Sequence, residues 1–331
     1  MDIFKSKLSA SWLLVIGYLG FLFLYIVIDF GFEKSVILGF SGILQGTLIF
    51  LVAAGFSIIF GLLDVLNFAQ GGFFMVGAYI GIYVYLLIPT NAMPAELAFL
   101  IALLAACLSG LVLGLIVEVG LIRPLYERPV YTLLLTFGLS SIMRETVLII
   151  WGPAPVPPPP APPLLDTQLF IFGQPFSVYR LFIIIVGIGM MLGVMLMLRF
   201  TRIGIIIRAG LEDREMVQAL GINVRQMFTL VFVVGTMIAA LGGMVVTPFR
   251  GAFVEMGDEF LLSAIVVVII GGIGSYEGTA IASIMVGLTR VAAAQISIQY
   301  FQAPVLEELS VFAIMIIVLL IQPSGLFGRK E

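Results

Sequence analysis

The 331-residue chain contains no histidine and only one cysteine, Cys107. The missing histidines exclude histidine-based acid–base catalysis and His-ligated metals. One cysteine can build neither an internal disulfide framework nor a cysteine metal cluster. Charge is scarce as well: charged residues make up 11% and hydrophobic residues 61% of the chain, against about 25% and 45–50% in soluble domains. The mean hydropathy is +1.21, and long apolar runs recur along the whole length. This is the composition of an integral membrane protein. A net charge of −3 is too small to point to nucleic acid. No GxxxxGK(S/T) motif occurs, and the four lysines (Lys5, Lys7, Lys34, Lys330) all lie outside Gly-rich loops. ATP therefore cannot be held here by a P-loop. No catalytic residue, metal site or cofactor is expected.

What is present is about ten apolar segments: Trp12–Asp29, Ile37–Leu63, Phe73–Pro89, Leu97–Gly120, Thr132–Trp151, Arg180–Arg199, Met227–Thr247, Glu259–Ile270, Thr279–Ala294 and Leu309–Ile321. A hydrocarbon core of about 30 Å takes about 20 helical residues, so the last three are short. This predicts an all-α polytopic membrane protein with eight to ten spans, a single transmembrane domain over residues 1–331. Residues 259–294 fit either two tilted spans or a hairpin that enters and leaves on one side. With the N-terminus in the cytoplasm, eleven of the sixteen Lys and Arg residues fall inside. Lys34, Arg144, Arg180, Arg250 and Arg290 fall outside or within the membrane. That bias places both termini in the cytoplasm. Lys5 and Lys7 precede an apolar run with no small-residue cleavage site after it, which predicts a retained first helix.

Between segments five and six, residues 151–179 form an external loop. Its first part, WGPAPVPPPPAPP, holds eight of the sixteen prolines; it cannot be helical and should run as stiff polyproline II. Either a spacer or a landing surface for an external partner would fit it. The remainder, with Phe170, Phe172, Phe176 and Tyr179, suits the membrane surface. Pairs of small residues four apart at Gly77/Gly81, Gly110/Gly114 and Gly189/Gly193 predict close helix packing. GGIGSYEG at 271–278 lies between apolar runs, not between a strand and an amphipathic helix, so it is no dinucleotide fingerprint. Ionisable residues inside apolar runs are few. Asp64, Glu118, Arg123 and Arg290 fall near segment ends, where snorkelling suffices. Arg144 and Glu145 sit deeper, in the outer half of segment five. A carrier driven by protons or sodium needs more buried acids than this.

The longest polar stretch is Thr201–Phe228, TRIGIIIRAGLEDREMVQALGINVRQMF, which the arginine count places in the cytoplasm. A helix from about Gly210 to Leu220 would carry Leu211, Met216 and Leu220 as its large apolar side chains. Glu212, Asp213 and Arg214 would lie on its rim, and Gly221 would serve as the C-cap.

Three stretches resemble the permeases of the branched-chain amino acid ABC transporter family, specifically the H-type subunit. They are GFSIIFGLLDVLNFAQGGFFMVGAYIG at Gly55–Gly81, the block from Arg208 to Met216 continuing through Ala219–Ile222, and AIVVVIIGGIGSYEG at Ala264–Gly278. One departure is visible: the family usually has a histidine and then an acidic residue after Asn-Phe-Ala, whereas Gln70, Gly71 and Gly72 follow Asn67-Phe68-Ala69 here. The resemblance implies a type II importer-like permease subunit in the inner (cytoplasmic) membrane, with no chemistry of its own. Its implied partners are two ABC ATPase subunits, a second permease that is a paralogue or a copy, and an external substrate-binding protein. It implies that residues 201–226 couple to the ATPase through Ala209, Gly210, Leu211, Glu212, Asp213, Arg214, Met216, Ala219, Leu220 and Gly221. The expected cargo is branched-chain or other hydrophobic amino acids. Urea, short amides or sugars are the alternative within the superfamily, and an ion-coupled secondary carrier is the alternative outside it. Polar positions in apolar runs, namely Asn67, Gln70, Thr136, Ser140, Arg144 and Glu145, are the expected lining of the pathway.

Overall fold

A computed structural model of the chain describes residues 2–63, 66–89, 93–126, 128–212, 214–221, 223–303 and 305–328; the side chains of residues 2–10, 62–63, 203, 211–212 and 214–215 are not described. Asp64, Asp213 and Ile222, and the side chains of Lys5, Lys7, Leu211, Glu212, Arg214 and Glu215, thus lie outside the described residues. The helices are α1 (Asp2–Phe30), α2 (Phe32–Leu63), α3 (Gln70–Leu87), α4 (Ala95–Val117), α5 (Pro129–Trp151) and α6 (Val178–Phe200). They continue as α7 (Arg202–Glu212), α8 (Arg214–Ala219), α9 (Val224–Arg250), α10 (Met256–Gly271), α11 (Tyr276–Ile296) and α12 (Val305–Ile321). Each of the ten apolar segments becomes one helix, α7 and α8 being the polar pair between the sixth and seventh. Among the described residues, eight helices are long and apolar enough to cross a membrane. The other two, α10 with 16 residues and α12 with 17, span about 24–26 Å at 1.5 Å per residue, short of the hydrocarbon thickness. The 259–294 region is a helical hairpin of α10 and α11 turning at Gly271–Ser275, with α11 a full-length span.

The centre of the bundle is α2, α3, α9 and α11, flanked by α4 and α10. Small residues set how closely these helices approach. A Cβ on Gly77 would collide with the backbone of Ala240, and one on Gly243 with that of Phe74, which locks α3 to α9. Gly110 meets the Thr236 backbone in the same way and Gly114 its hydroxyl, and Gly287 of α11 meets the backbone of Gly46 of α2. Gly189 and Gly193 do not follow the expected use: nothing lies within 4 Å of either Cβ position, because that face of α6 is turned away from the bundle. Aromatic rings fill the remaining space, among them Phe74 on Phe260 (centroids 4.7 Å apart) and Phe73 on Phe232 (6.1 Å).

Two elements differ from the sequence reading. Residues 164–177 include an antiparallel hairpin, β1 (Gln168–Ile171) and β2 (Gln174–Ser177). Its two-residue turn, Phe172-Gly173, has φ of +49° and +79°, the primed turn geometry that follows strand twist. Asn-Gly is the usual signal for such a turn, and a Phe there conceals it. The Pro-rich stretch is irregular as expected, and Val156 forms an isolated bridge with Ala252 just after α9. The polar block at 201–228 holds α7 and α8 in place of one helix over 210–220. Thr201 caps α7 with its hydroxyl accepting from the Gly204 amide (3.1 Å), which starts the helix eight residues early.

Candidate functional site

The segment before α3 departs most from regular helix at membrane depth. Residues 66–69 are non-helical, yet Asn67, Ala69 and Gln70 are fully buried. Backbone freed from a helix inside a membrane must find other partners, and three expected pathway residues supply them. The Thr136 hydroxyl of α5 donates to the Leu66 carbonyl (3.1 Å) and accepts from the Phe68 amide (3.2 Å). Asn67 accepts from the Ala69 amide (3.2 Å) and donates to Gln70 (3.1 Å), and Gln70 donates to the Gly235 carbonyl of α9 (2.9 Å). The polar atoms of Asn67, Gln70 and Thr136 thus hold a break that joins α3, α5 and α9. Just after the break, a Cβ at Gly71 would collide with the Gly257 carbonyl of α10, and one at Gly72 would meet the Met143 sulfur of α5.

The break opens sideways onto a groove of about 330 Å³ between α5 and α10. From α5 it is lined by Phe137, Ser140, Ser141 and Arg144, and from α10 by Asp258, Leu261, Leu262 and Ile265, with Phe68 at the break. Both sets follow the i, i+3, i+4, i+7 spacing that places residues on one helix face. Phe68 and Phe137 pack edge to face, centroids 6.3 Å apart. Arg144 lies seven residues, about 10 Å along the axis, from the outer end of α5 at Trp151. Arg144, Glu145 and Asp258 are exposed. The structure brings Ser140 and Arg144 together with Asp258, a residue the sequence reading passed over. Glu145 projects about 100° round the helix from Arg144. The missed signal was the shared spacing of two stripes on helices far apart in sequence.

Charged residues near segment ends do more than snorkel. Arg290 is buried; it pairs with Glu307 of α12 (2.6 Å) and Glu259 of α10 (3.4 Å), and Glu259 also pairs with Arg250 at the end of α9 (2.9 Å). The network ties four helices together. At the inner end, Glu118 is fully buried in a π-helical turn after α4. It accepts from the Tyr126 hydroxyl and lies 3.8 Å from Arg123, which donates to Thr229 in the first turns of α9 (3.3 Å). Burial first, and then the bond to Glu118, push the Tyr126 phenol well above its ordinary range, so it stays a neutral donor.

Helix α7 is amphipathic. Gly204, Ile207 and Gly210 are buried, and Arg202, Ile205 and Arg208 are exposed. Ala209 is half-buried, as the expected coupling residues go, while Ala219 and Gly221 are exposed. Helix α8 buries Val217 but leaves Met216 59% exposed, and Leu220, just past its end, is 72% exposed. Gly221 follows with φ of +79°, a left-handed position suited to glycine. Asn223 then caps α9, accepting from the Gln226 amide (3.3 Å).

The family model described as "Branched-chain amino acid transport system / permease component" matches residues 38–319. The chain is similar to the high-affinity branched-chain amino acid transport system permease protein LivH of Escherichia coli (strain K12), 28% identical over 305 residues, 88% of this chain and 95% of the relative. LivH of Salmonella typhimurium and BraD of Pseudomonas aeruginosa are each 27% identical over 301 residues, with the same coverage. Among solved structures, a chain of "PsaBC from Streptococcus pneumoniae in complex with Fab" superposes at a TM-score of 0.45 with 11% identity, covering 92% of this chain and 97% of that one.

Proposed function

The chain belongs to the branched-chain amino acid transport permease family, and from that premise we propose that it is the membrane-spanning subunit of an ATP-driven importer of branched-chain or related hydrophobic amino acids. Two separate ATPase subunits, a second permease of related sequence and an external binding protein complete the assembly. The chain carries no P-loop, so the energy has to arrive through a contact. The observation that carries this reading is α8. Met216 within it and Leu220 just after it are large apolar side chains left exposed, beside the charged sequence Glu212-Asp213-Arg214-Glu215. An apolar anchor ringed by charge gives a docking helix affinity and register. The coupling segment is 201–226, and 151–179 faces the outside. Transport follows the polar stripe of α5 with Ser140 and Arg144. Asn67, Gln70 and Thr136 serve the same pathway by holding the break at 66–70 on which it rests.

Reconstitution into vesicles tests this. The chain with its ATPases, second permease and binding protein should accumulate leucine only when ATP is supplied. The purified chain alone, given a proton or sodium gradient, should accumulate none. Gradient-driven uptake by the chain alone would refute the reading.

A further inference from the structure

The groove between α5 and α10 presents one cation and one anion, Arg144 and Asp258, at its rim, two hydroxyls beside them, and apolar side chains over the rest of its wall. Neither charge has an ion-pair or hydrogen-bond partner among the described residues. Ionisable groups within membrane helices are costly unless they pair or face a water-filled route. Two unpaired and opposite charges lining one cavity therefore call for a ligand that carries both signs.

We propose that this groove is a transit site for a zwitterionic α-amino acid with an apolar side chain. Arg144 receives the carboxylate on its planar guanidinium fork, which matches a carboxylate in two parallel hydrogen bonds. Asp258 receives the ammonium. The side chain lies on Phe137, Leu261 and Leu262, towards the ring of Phe68. A metal cation would want several carboxylates and an anion several cations; a neutral amide or sugar would leave both charges unmatched. The groove volume falls in the range of small-molecule sites, about 300–1,000 Å³. Its open side keeps the site weak, as a conducting site must be: it has to release what it takes up. This inference deepens the importer reading and rests on the α5 face being the pathway.

The experiment uses the assembled complex in vesicles without the binding protein, with Cys107→Ala and Ser141→Cys in this chain, and a water-soluble thiol reagent. Such reagents attack the thiolate, which forms only where water reaches it. Labelling should occur, and saturating leucine should slow it by more than about threefold, since the rate follows the unoccupied fraction. Isocaproate, which lacks the ammonium, and leucinamide, which lacks the carboxylate, should leave it unchanged. Arg144→Gln and Asp258→Asn should each abolish the leucine effect while labelling persists. The analogue comparison stands even if either variant fails to assemble. Labelling without leucine protection, or equal protection by either analogue, would overturn the zwitterion site and leave the pathway reading intact. Absence of labelling both without nucleotide and in the ATP-bound state would mean that lipid or the second permease fills the groove, which overturns both.

Discussion

Arg290 shows how one residue can decide whether buried charge is tolerable. Its guanidinium lies between Glu259 and Glu307, and its side chain is only 8% exposed. Removing one partner from a buried pair costs far more than the pair itself is worth, because the remaining charge is stranded. Arg290→Ala leaves two carboxylates facing each other across α10 and α12, and should destabilise the chain by about 3 kcal/mol, the lower end for broken buried pairs, since Glu307 is partly solvated. Arg250 pairs with the same Glu259 but is 31% exposed. Arg250→Ala should cost about 1 kcal/mol or less. Thermal unfolding of the detergent-purified chain checks both, and equal losses would show that Glu307 contributes nothing to holding Arg290. Adding Glu307→Gln to Arg290→Ala should recover most of the loss, because Glu259 keeps its pair with Arg250 and no carboxylate is then left without a cation.

Among the elements, α8 is the one whose stability and whose use pull apart. A six-residue helix is too short to be stable alone; it is held by Val217 beneath it and by Gly221 ending it in a left-handed turn. Leu220→Asp changes only an outward side chain. The expected result is loss of ATPase co-purification by tenfold or more, equivalent to about 1.4 kcal/mol of binding, with unchanged membrane insertion and unchanged thermal stability. Intact co-purification would remove α8 from the contact. The same scale shows where the sequence could be read. A long apolar run in a membrane satisfies its backbone most simply as a helix, so hydropathy located the helices, with most ends within about five residues and α1 starting ten residues ahead of its apolar run. Where backbone partners come from elsewhere in the fold, hydropathy carries no such signal. The break at 66–70 depends on Thr136 and Gly235, distant in sequence. The division of the inner block into α7 and α8 depends on the Thr201 cap and on packing of Gly204 against Leu198. The candidate groove was half legible: Ser140 and Arg144 stand out as polar in an apolar run, whereas Asp258 looks like an ordinary acidic residue in a helix's first turn until α5 is seen opposite it.

For the whole molecule, the question is which outer face meets lipid. Helices α1, α5 and α6, and α4 to nearly the same degree, are peripheral with few buried residues, while α2 is almost wholly enclosed. Through the middle of α6 the exposed side chains, Ile185, Ile188, Leu192 and Leu196, are apolar, as are Leu13, Ile16, Phe21 and Leu24 on α1, and α6 exposes a charge only at its end, Arg199. Those faces suit hydrocarbon. The exposed face of α5 differs: Phe137 is followed by Ser141, Arg144 and Glu145, and α10 adds Asp258 beside it. Hydrocarbon would solvate none of these charges, so this side should meet water or protein. Spin labels on the assembled complex separate the two cases. A nitroxide at Ile188→Cys should be relaxed mainly by oxygen, which partitions into lipid, and one at Ser141→Cys mainly by a water-soluble nickel chelate. If both report oxygen, α5 faces lipid with its charges unsatisfied and the pathway must be sought elsewhere. If Ser141→Cys is shielded from both reagents while Ile188→Cys is not, a second permease packs directly on α5. The charged face of α5 is then an interface and not a passage, and its charges find their partners across the contact.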